Sequence, residues 1–416
     1  MVQPSAGHQI EDGIEALLTD QNEGLAGDVR DPYPELAHQR RQAPVMRVDL
    51  RAQLGMSTDA ELPPMPDVYT VLTHDLVQRV LRDPETFSSA VYEDTMGLVM
   101  GKTILQLDPP NHRGHRNLVA QAFRPKMLER WGPAAIGETV NELIDTFADR
   151  GHADLVREFT FPFPIKVISR ILGLPEEDWL RFFRLSVELI SLTVDFERAV
   201  KASEALKGYF QELIDMRRAE PREDLISELV QAELDGRKLT DDEIYPFLRL
   251  LLPAGAETTF RSTGNLLYGL LTNPDQLHAV REDRALIPRA IEEAIRWEPP
   301  LLFIQRRATR DVELDGVEIP AGSNIALGMG AANRDPDRWT DPDVFDIHRS
   351  PQQHMSFADG PHMCLGMHLS RLETRIALNA LFDRLPNLRL DPDAEDVHIH
   401  GFMFRSPMSL PVLFDN

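Results

Sequence analysis

Cys364 is the only cysteine in the chain. It lies in the run FADGPHMCLG, between Gly360-Pro361 and Gly366, with His362 two residues before it. A free cysteine on its own packs as a small hydrophobe. Here glycines on both sides permit a tight loop whose backbone N–H groups can aim at the sulfur. Leu365, Leu369, Leu372 and Ile376, spaced i, i+4, i+7 and i+11, predict a helix that begins at Cys364 itself. The positive end of that helix dipole favours thiolate. A thiolate so held is either a nucleophile, for which His362 is the candidate base, or a metal ligand. A single cysteine excludes an internal disulfide and any zinc or iron–sulfur site that needs several thiolates.

A second concentration of chemistry is AGAETT, Ala254 to Thr259, inside a strongly apolar helical pattern. Gly255 in a helix interior costs about 1 kcal/mol. Thr258 can bond back to a carbonyl and bend the helix. Pro253 removes an intrahelical bond. Such a cluster of local-rule violations suggests function, and it sets an acid, Glu257, beside an alcohol, Thr258. Third, Glu293 and Arg296 in EAIR fall on one helix face, by default an ordinary ion pair. Fourth, His112 and Arg116 in NHRGHR lie at i, i+4, and Arg306 follows in RRATRD. Against 44 Lys and Arg the chain has 67 Asp and Glu, a net charge of −23. That balance argues against a nucleic-acid partner and makes any local cluster of cations informative.

The elements that must position these residues read as mainly α with small β-sheets. Residues 1–30 are expected to be a flexible N-terminal segment. No linker divides residues 31–416, which are expected to form a single domain. A strand is expected at Val68–Leu72 and a helix from Asn111. Another helix carries Ile136, Val140, Leu143, Ile144 and Phe147 on one face and stops at Gly151. One long buried helix is expected after the N-cap Thr240, with Glu243 three residues on, running to the stop at Asn273-Pro274. Short strands with a turn at Asp315-Gly316 follow, then an irregular stretch over 333–356. No apolar run is long enough to span a membrane, and no basic leader precedes one. A cytoplasmic protein is expected.

FADGPHMCLG resembles the haem-binding loop of the cytochrome P-450 monooxygenases, matching at Phe357, Gly360, His362, Cys364 and Gly366. Ala358 departs from it, since bacterial members commonly have Gly there. The resemblance runs from about residue 60 to 410 and implies the cytochrome P-450 fold, with haem b as cofactor and O2 as co-substrate. It implies that Cys364 is the axial iron ligand. Ala254 and Gly255 would face bound oxygen, and Glu257 and Thr258 would deliver protons, with Glu257 linking Thr258 to solvent. His112, Arg116, Arg306 and His362 would bind the haem propionates. Glu293 and Arg296, completed by Arg349, would be structural.

The same resemblance implies a hydrophobic small-molecule substrate, apolar and of small or medium size, bound by segments 92–103, 185–196, 301–305 and 401–405. These carry Met96, Leu98, Val99, Ile190, Leu302, Phe303, Phe402 and Phe404. No flavin or NAD site is expected in this chain, so electrons would come from a ferredoxin and its NAD(P)H-dependent reductase. The ferredoxin would dock near Arg113, Arg124, His354, His368 and Arg371. A monomer is expected. The rival readings are a haem-thiolate peroxygenase or NO reductase, against which Glu257-Thr258 counts, and a non-catalytic haem sensor.

Overall fold

Helical apolar spacing accounts for most of the chain. The computed structural model describes residues 29–50, 54, 67–175, 178–190 and 195–415. The segment expected to be flexible falls almost wholly outside them. In chain order the helices are α1 (Tyr33–Gln42), α2 (His74–Arg82), α3 (Met96–Met100), α4 (Asn111–Val119), α5 (Pro125–Asp145), α6 (Pro162–Ile171), α7 (Trp179–Ile190) and α8 (Phe196–Ala219). There follow α9 (Leu225–Gln231), α10 (Asp241–Leu251), α11 (Thr258–Leu271), α12 (Pro274–Glu282), α13 (Ile287–Trp297), α14 (Met329–Asn333) and α15 (Met367–Arg384).

The helix expected from Thr240 onward is three pieces in one continuous run. Thr240 and Glu243 form a reciprocal capping box that starts α10. Between α10 and α11, residues Leu252–Glu257 form a wide π-helical turn. Pro253 explains it: the residue has no N–H, and its ring opposes the carbonyl four residues back, so the ladder opens at that point. The run ends at Leu271, before Asn273-Pro274. Phe260, Leu266, Leu267 and Leu270 of α11 are buried in the main hydrophobic core. The expected inner face of α5 is buried there too, at Ile136, Val140, Leu143, Ile144 and Phe147. This helix packs on α6 and α15.

The largest sheet has five strands in the order β1-β2-β10-β7-β3. They are β1 (Val45–Arg47), β2 (Val68–Val71), β3 (Phe87–Ser88), β7 (Phe303–Ala308) and β10 (Asn324–Gly328), while β4 (His152–Asp154), β5 (Glu233–Leu234) and β6 (Arg237–Lys238) lie outside this sheet. Strand β10 runs parallel to β2 and antiparallel to β7, where Ile325 faces Arg306. The sheet therefore fixes Arg306 in space. The expected turn joins β8 (Val312–Leu314) to β9 (Val317–Ile319), with Asp315 and Gly316 both at positive φ, as a type I′ turn requires. From Arg334 to Asp359 the chain has turns but no helix or strand. Among the described residues, no helix is long and apolar enough to cross a membrane.

One expectation is corrected. The helix after the cysteine begins at Met367, with Gly366 as its N-cap, and not at Cys364. Residues Gly360–His362 form a separate 3-10 turn. The Cys364 N–H turns back to Phe357 O, and the helical ladder opens with the Ser370 N–H to Gly366 O, so Cys364 stays in the loop.

Candidate functional site

Cys364 sits on a loop held from several directions. Its backbone N–H donates to Phe357 O at 2.8 Å, which closes the loop on itself. Gly360 has φ +67, and a Cβ there would lie 2.3 Å from Leu81 O, so only glycine fits against α2. Asp359 accepts from the Gly360 N–H, from Gln78 and from Arg82. Upstream, Ser356 Oγ donates to Ile295 O, and Asn333 Nδ2 donates to Ser356 Oγ, each at 2.7 Å. Burial pushes the Cys364 thiol up, while the N–H of Gly366, the Arg116 and Arg371 guanidiniums and the N–H of Met367 pull it down. The nucleophile reading loses its base, because His362 is turned toward His112.

Two histidines and two arginines converge beside this loop. The His112 and His362 rings are 4.0 Å apart, and the Nε2 of each is buried without a partner. Burial and then Arg116 lower His112 to about 4. Burial and then His112 and Arg306 lower His362 to about 3. Arg116 donates to Met363 O. Arg306 is buried and donates to Gln305 O at 2.7 Å, beside Tyr92. Asp108, whose charge acts on His112 and Arg306, accepts from Ser88 Oγ and the Ser89 N–H. Two imidazole nitrogens orphaned among the described residues, and two guanidiniums without an acid of their own there, are what a buried dianion would satisfy.

On the kinked run, Ala254 is exposed and Gly255 and Thr258 are half-buried, so this side of the helix is open. Thr258 Oγ1 donates to Ala254 O at 2.8 Å. A Cβ on Gly255 would come 3.0 Å from Ile168 Cδ1, so this glycine also permits close packing of α6. Glu257 points the other way. It is 1 % exposed and accepts from Arg261 Nε at 2.7 Å, while Arg261 Nη1 donates to Ser406 Oγ at 3.0 Å. The direct link from Glu257 to solvent expected from the sequence is absent; the carboxylate meets Arg261 instead. Leu365, just before α15, and Leu369, Leu372 and Ile376 on it remain only half-buried, whereas Ala377, Leu378 and Leu381 of α15 are sealed.

Glu293 and Arg296 form a bidentate pair with both distances 2.8 Å. Arg349 reaches Glu293 at 3.1 and 3.2 Å. Arg296 also donates to the carbonyls of Asn333, Pro342 and Val344, so the triad ties down the irregular stretch before the cysteine loop.

Other expected positions divide. Met96 is half-buried, Val99 is buried, and Leu98 is 63 % exposed on α3. Phe404 is half-buried, with the Arg261 guanidinium 5.4 Å from its ring. The side chain of Ile190 lies outside the described residues. Leu302, Phe303 and Phe402 are corrected: they are buried with Tyr33, Leu36 and Leu72 in a separate core under the sheet, and the Phe303 and Phe402 rings stack at 5.3 Å. The Leu302 N–H donates to Met403 O at 2.9 Å, which joins the two segments there. In the expected basic patch, His354 is buried and Arg371 is engaged, both against Glu292. Although burial opposes it, those hydrogen bonds hold the Glu292 carboxyl at about 2. Arg113, Arg124 and His368 remain exposed. The sequence reading missed Arg261, whose i+4 spacing from Glu257 was a usable signal. It also missed Tyr92 and Asp108, which have no local signal.

Comparison with known proteins matches the family described as Cytochrome P450 over residues 155–401. The chain is 37 % identical over 392 residues to the cytochrome P450 monooxygenase PikC of Streptomyces venezuelae, covering 92 % of this chain and 91 % of that one. It is 40 % identical over 314 residues to the 6-deoxyerythronolide B hydroxylase of Saccharopolyspora erythraea, covering 74 % and 77 %. Among solved structures, CYP109E1 from Bacillus megaterium in complex with testosterone matches with TM-score 0.83 at 33 % identity, over 93 % of this chain and 100 % of that one.

Proposed function

The chain belongs to the cytochrome P450 monooxygenase family, and from that premise we propose a haem-thiolate enzyme that places one oxygen atom of O2 into an apolar organic substrate. Its electrons come from a ferredoxin and an NAD(P)H-dependent reductase. The observation that carries the reading is the pairing of a buried thiol with an uncompensated cation cluster. A thiol raised by burial yet aimed at by two backbone N–H groups is suited to a cation that replaces its proton. The two orphaned Nε2 atoms, with Arg116 and Arg306, suit a group bearing two carboxylates. The half-buried stripe Leu365, Leu369, Leu372 and Ile376 suits a flat apolar body. Haem has all three properties.

When bound, haem iron ligated by thiolate supplies O2 activation with two electrons and two protons. The residues of the chain do the rest. Cys364 ligates through Sγ, oriented by the N–H groups of Gly366 and Met367. His112, Arg116, Arg306 and His362 hold the propionates. Thr258 is the proton donor on the open side. At rest its hydroxyl hydrogen is committed to Ala254 O, so rotation about χ1 frees it while its lone pairs accept from water. Glu257 is the acid behind it, and Arg261 holds its carboxylate in place. Met96, Val99 and Phe404 flank an apolar substrate. Names of relatives support the reaction class and the bulk of the substrate: one is called a hydroxylase, and one neighbour holds a steroid. Exposed Arg113, Arg124 and His368 offer an acidic ferredoxin a foothold on the cysteine side.

The test is the spectrum of the reduced, haem-loaded protein with CO. A strongly red-shifted Soret band is expected for thiolate ligation, and it disappears in Cys364→Ser. A histidine-type band overturns the reading. Product formation with a ferredoxin, its reductase and NAD(P)H, exceeding that with peroxide alone, separates a monooxygenase from a peroxygenase.

A further inference from the structure

Among the described residues, the buried arginines have acids, with the exceptions of Arg306 and Arg249. Arg217 pairs with Asp224, Arg261 with Glu257, Arg296 with Glu293, and Arg334 and Arg405 with Glu298. Arg306 belongs to the cation cluster described above. Arg249 on α10 is 8 % exposed, and among the described residues no carboxylate lies within ion-pair distance of it. Its Nη1 donates to Ser203 Oγ at 2.8 Å and its Nε to Tyr245 O at 3.4 Å. Its Nη2 makes no hydrogen bond to a described residue. That nitrogen faces Gly101, where a Cβ would lie 3.3 Å from it, so the guanidinium takes the space a side chain would fill. Burial lowers the Arg249 guanidinium with no acid opposing. A guanidinium is not relieved by losing its proton at ordinary pH, so the missing partner is an anion.

The place is informative. Ser203 of α8, which accepts from Arg249, donates to Val99 O. Arg249 therefore sits where α8, α10 and the segment after α3 meet. It lies on the same helical run as Thr258, nine residues earlier, or about 13 Å along the axis. We propose that Arg249 recognises a carboxylate on an otherwise apolar substrate, holding the reacting carbon on the order of 10 Å away beside Thr258. This rests on the monooxygenase reading above and narrows its substrate class to apolar carboxylic acids. Ser203 serves as the positioning residue, since its hydroxyl fixes the guanidinium and the Val99 carbonyl together.

The probes are dodecanoate and hexadecanoate, each against its methyl ester, titrated into the haem-loaded protein by calorimetry and by the low-spin to high-spin shift. The acids are expected to bind about ten-fold or more tightly than the esters, the usual size for a charge-assisted hydrogen bond. Arg249→Met is expected to abolish the preference while ester affinity changes little, and Arg249→Lys to retain part of it. Equal binding of acid and ester by the unaltered protein, no binding of either acid, or a preference that survives in Arg249→Met overturns the proposal. The acid–ester comparison in the unaltered protein stands even where a variant fails to fold. The CO spectrum of the same samples reports the thiolate ligation independently, and calorimetry reports binding whether or not the iron responds. Failure of one reading is thus distinct from failure of the other.

Discussion

Glu257 and Arg261, one helical turn apart, form an ion pair whose side chains are almost entirely sealed from water, with Arg261 Nη2 2.5 Å from Glu257 Oε1. The pair lies directly behind Thr258, on the side of the helix away from the open face. Its burial makes each partner dependent on the other, because a lone buried charge is far costlier than a buried pair.

Arg261→Met is therefore expected to destabilise the protein by about 3–5 kcal/mol, the usual cost of stranding one member of a buried pair. Glu257→Gln in the same background should recover much of that loss. A double-mutant cycle by urea denaturation checks it. Additive single losses would falsify the coupling.

Thr258→Ala removes the hydroxyl that donates to Ala254 O. Substrate affinity is expected to stay within about two-fold, while product per NAD(P)H falls and hydrogen peroxide rises. Thr258→Ser keeps the hydroxyl and should keep most of the coupling, on the order of the 10²-fold that positioned proton donors contribute. Unchanged coupling in Thr258→Ala removes the proton-donor role.

What was legible in the sequence was local. Cys364 with its flanking glycines, the Glu293–Arg296 spacing and the Thr240–Glu243 capping box each depend on residues a few positions apart. Arg349 joined Glu293 as expected because the irregular stretch between them folds back on one helix. The start of α15 moved from Cys364 to Met367, since an apolar stripe gives the face of a helix and not its first residue. Leu302, Phe303 and Phe402 went to a different core because segments far apart in sequence join there, through the Leu302 N–H to Met403 O and the Leu301–Phe404 bridge. Arg249 reads as one charge in an apolar helix; only the assembled structure reveals that no acid reaches it.

His112 titrates at about 4 in the folded protein, below the ordinary value near 6.5. The unfolded chain thus binds the proton first, and the stability linked to this residue is complete above about pH 6.5 and is lost as pH falls toward 4. At pH 5.5 the loss is about 1.4 kcal/mol. Haem-free protein is expected to melt lower at pH 5.5 than at 7.5, with Arg116, His115, Arg306 and Asp108 setting the local field. His112→Gln should reduce that difference, and the part that remains belongs to His362, likewise lowered by burial. Haem loading should flatten it as well, since propionates compensate the charged imidazole. An identical pH dependence in His112→Gln rules out this assignment.

Glu373 on α15 behaves oppositely. Burial alone raises its carboxyl to about 8, while its neighbour Thr374 lies 3.4 Å from Thr263 of α11. An acid whose folded pKa is raised favours folding when protonated, so stability is full below about pH 4.5 and declines as pH rises toward 8. Glu373→Gln removes the titration and keeps the shape. It is expected to stabilise the protein by about 2–4 kcal/mol at pH 7.5 and by under about 1 kcal/mol at pH 5. Melting temperatures of the two proteins at both pH values check this. A gain that is the same at pH 5 and pH 7.5 would mean that Glu373 is ionised in the folded state, and that a partner compensates it.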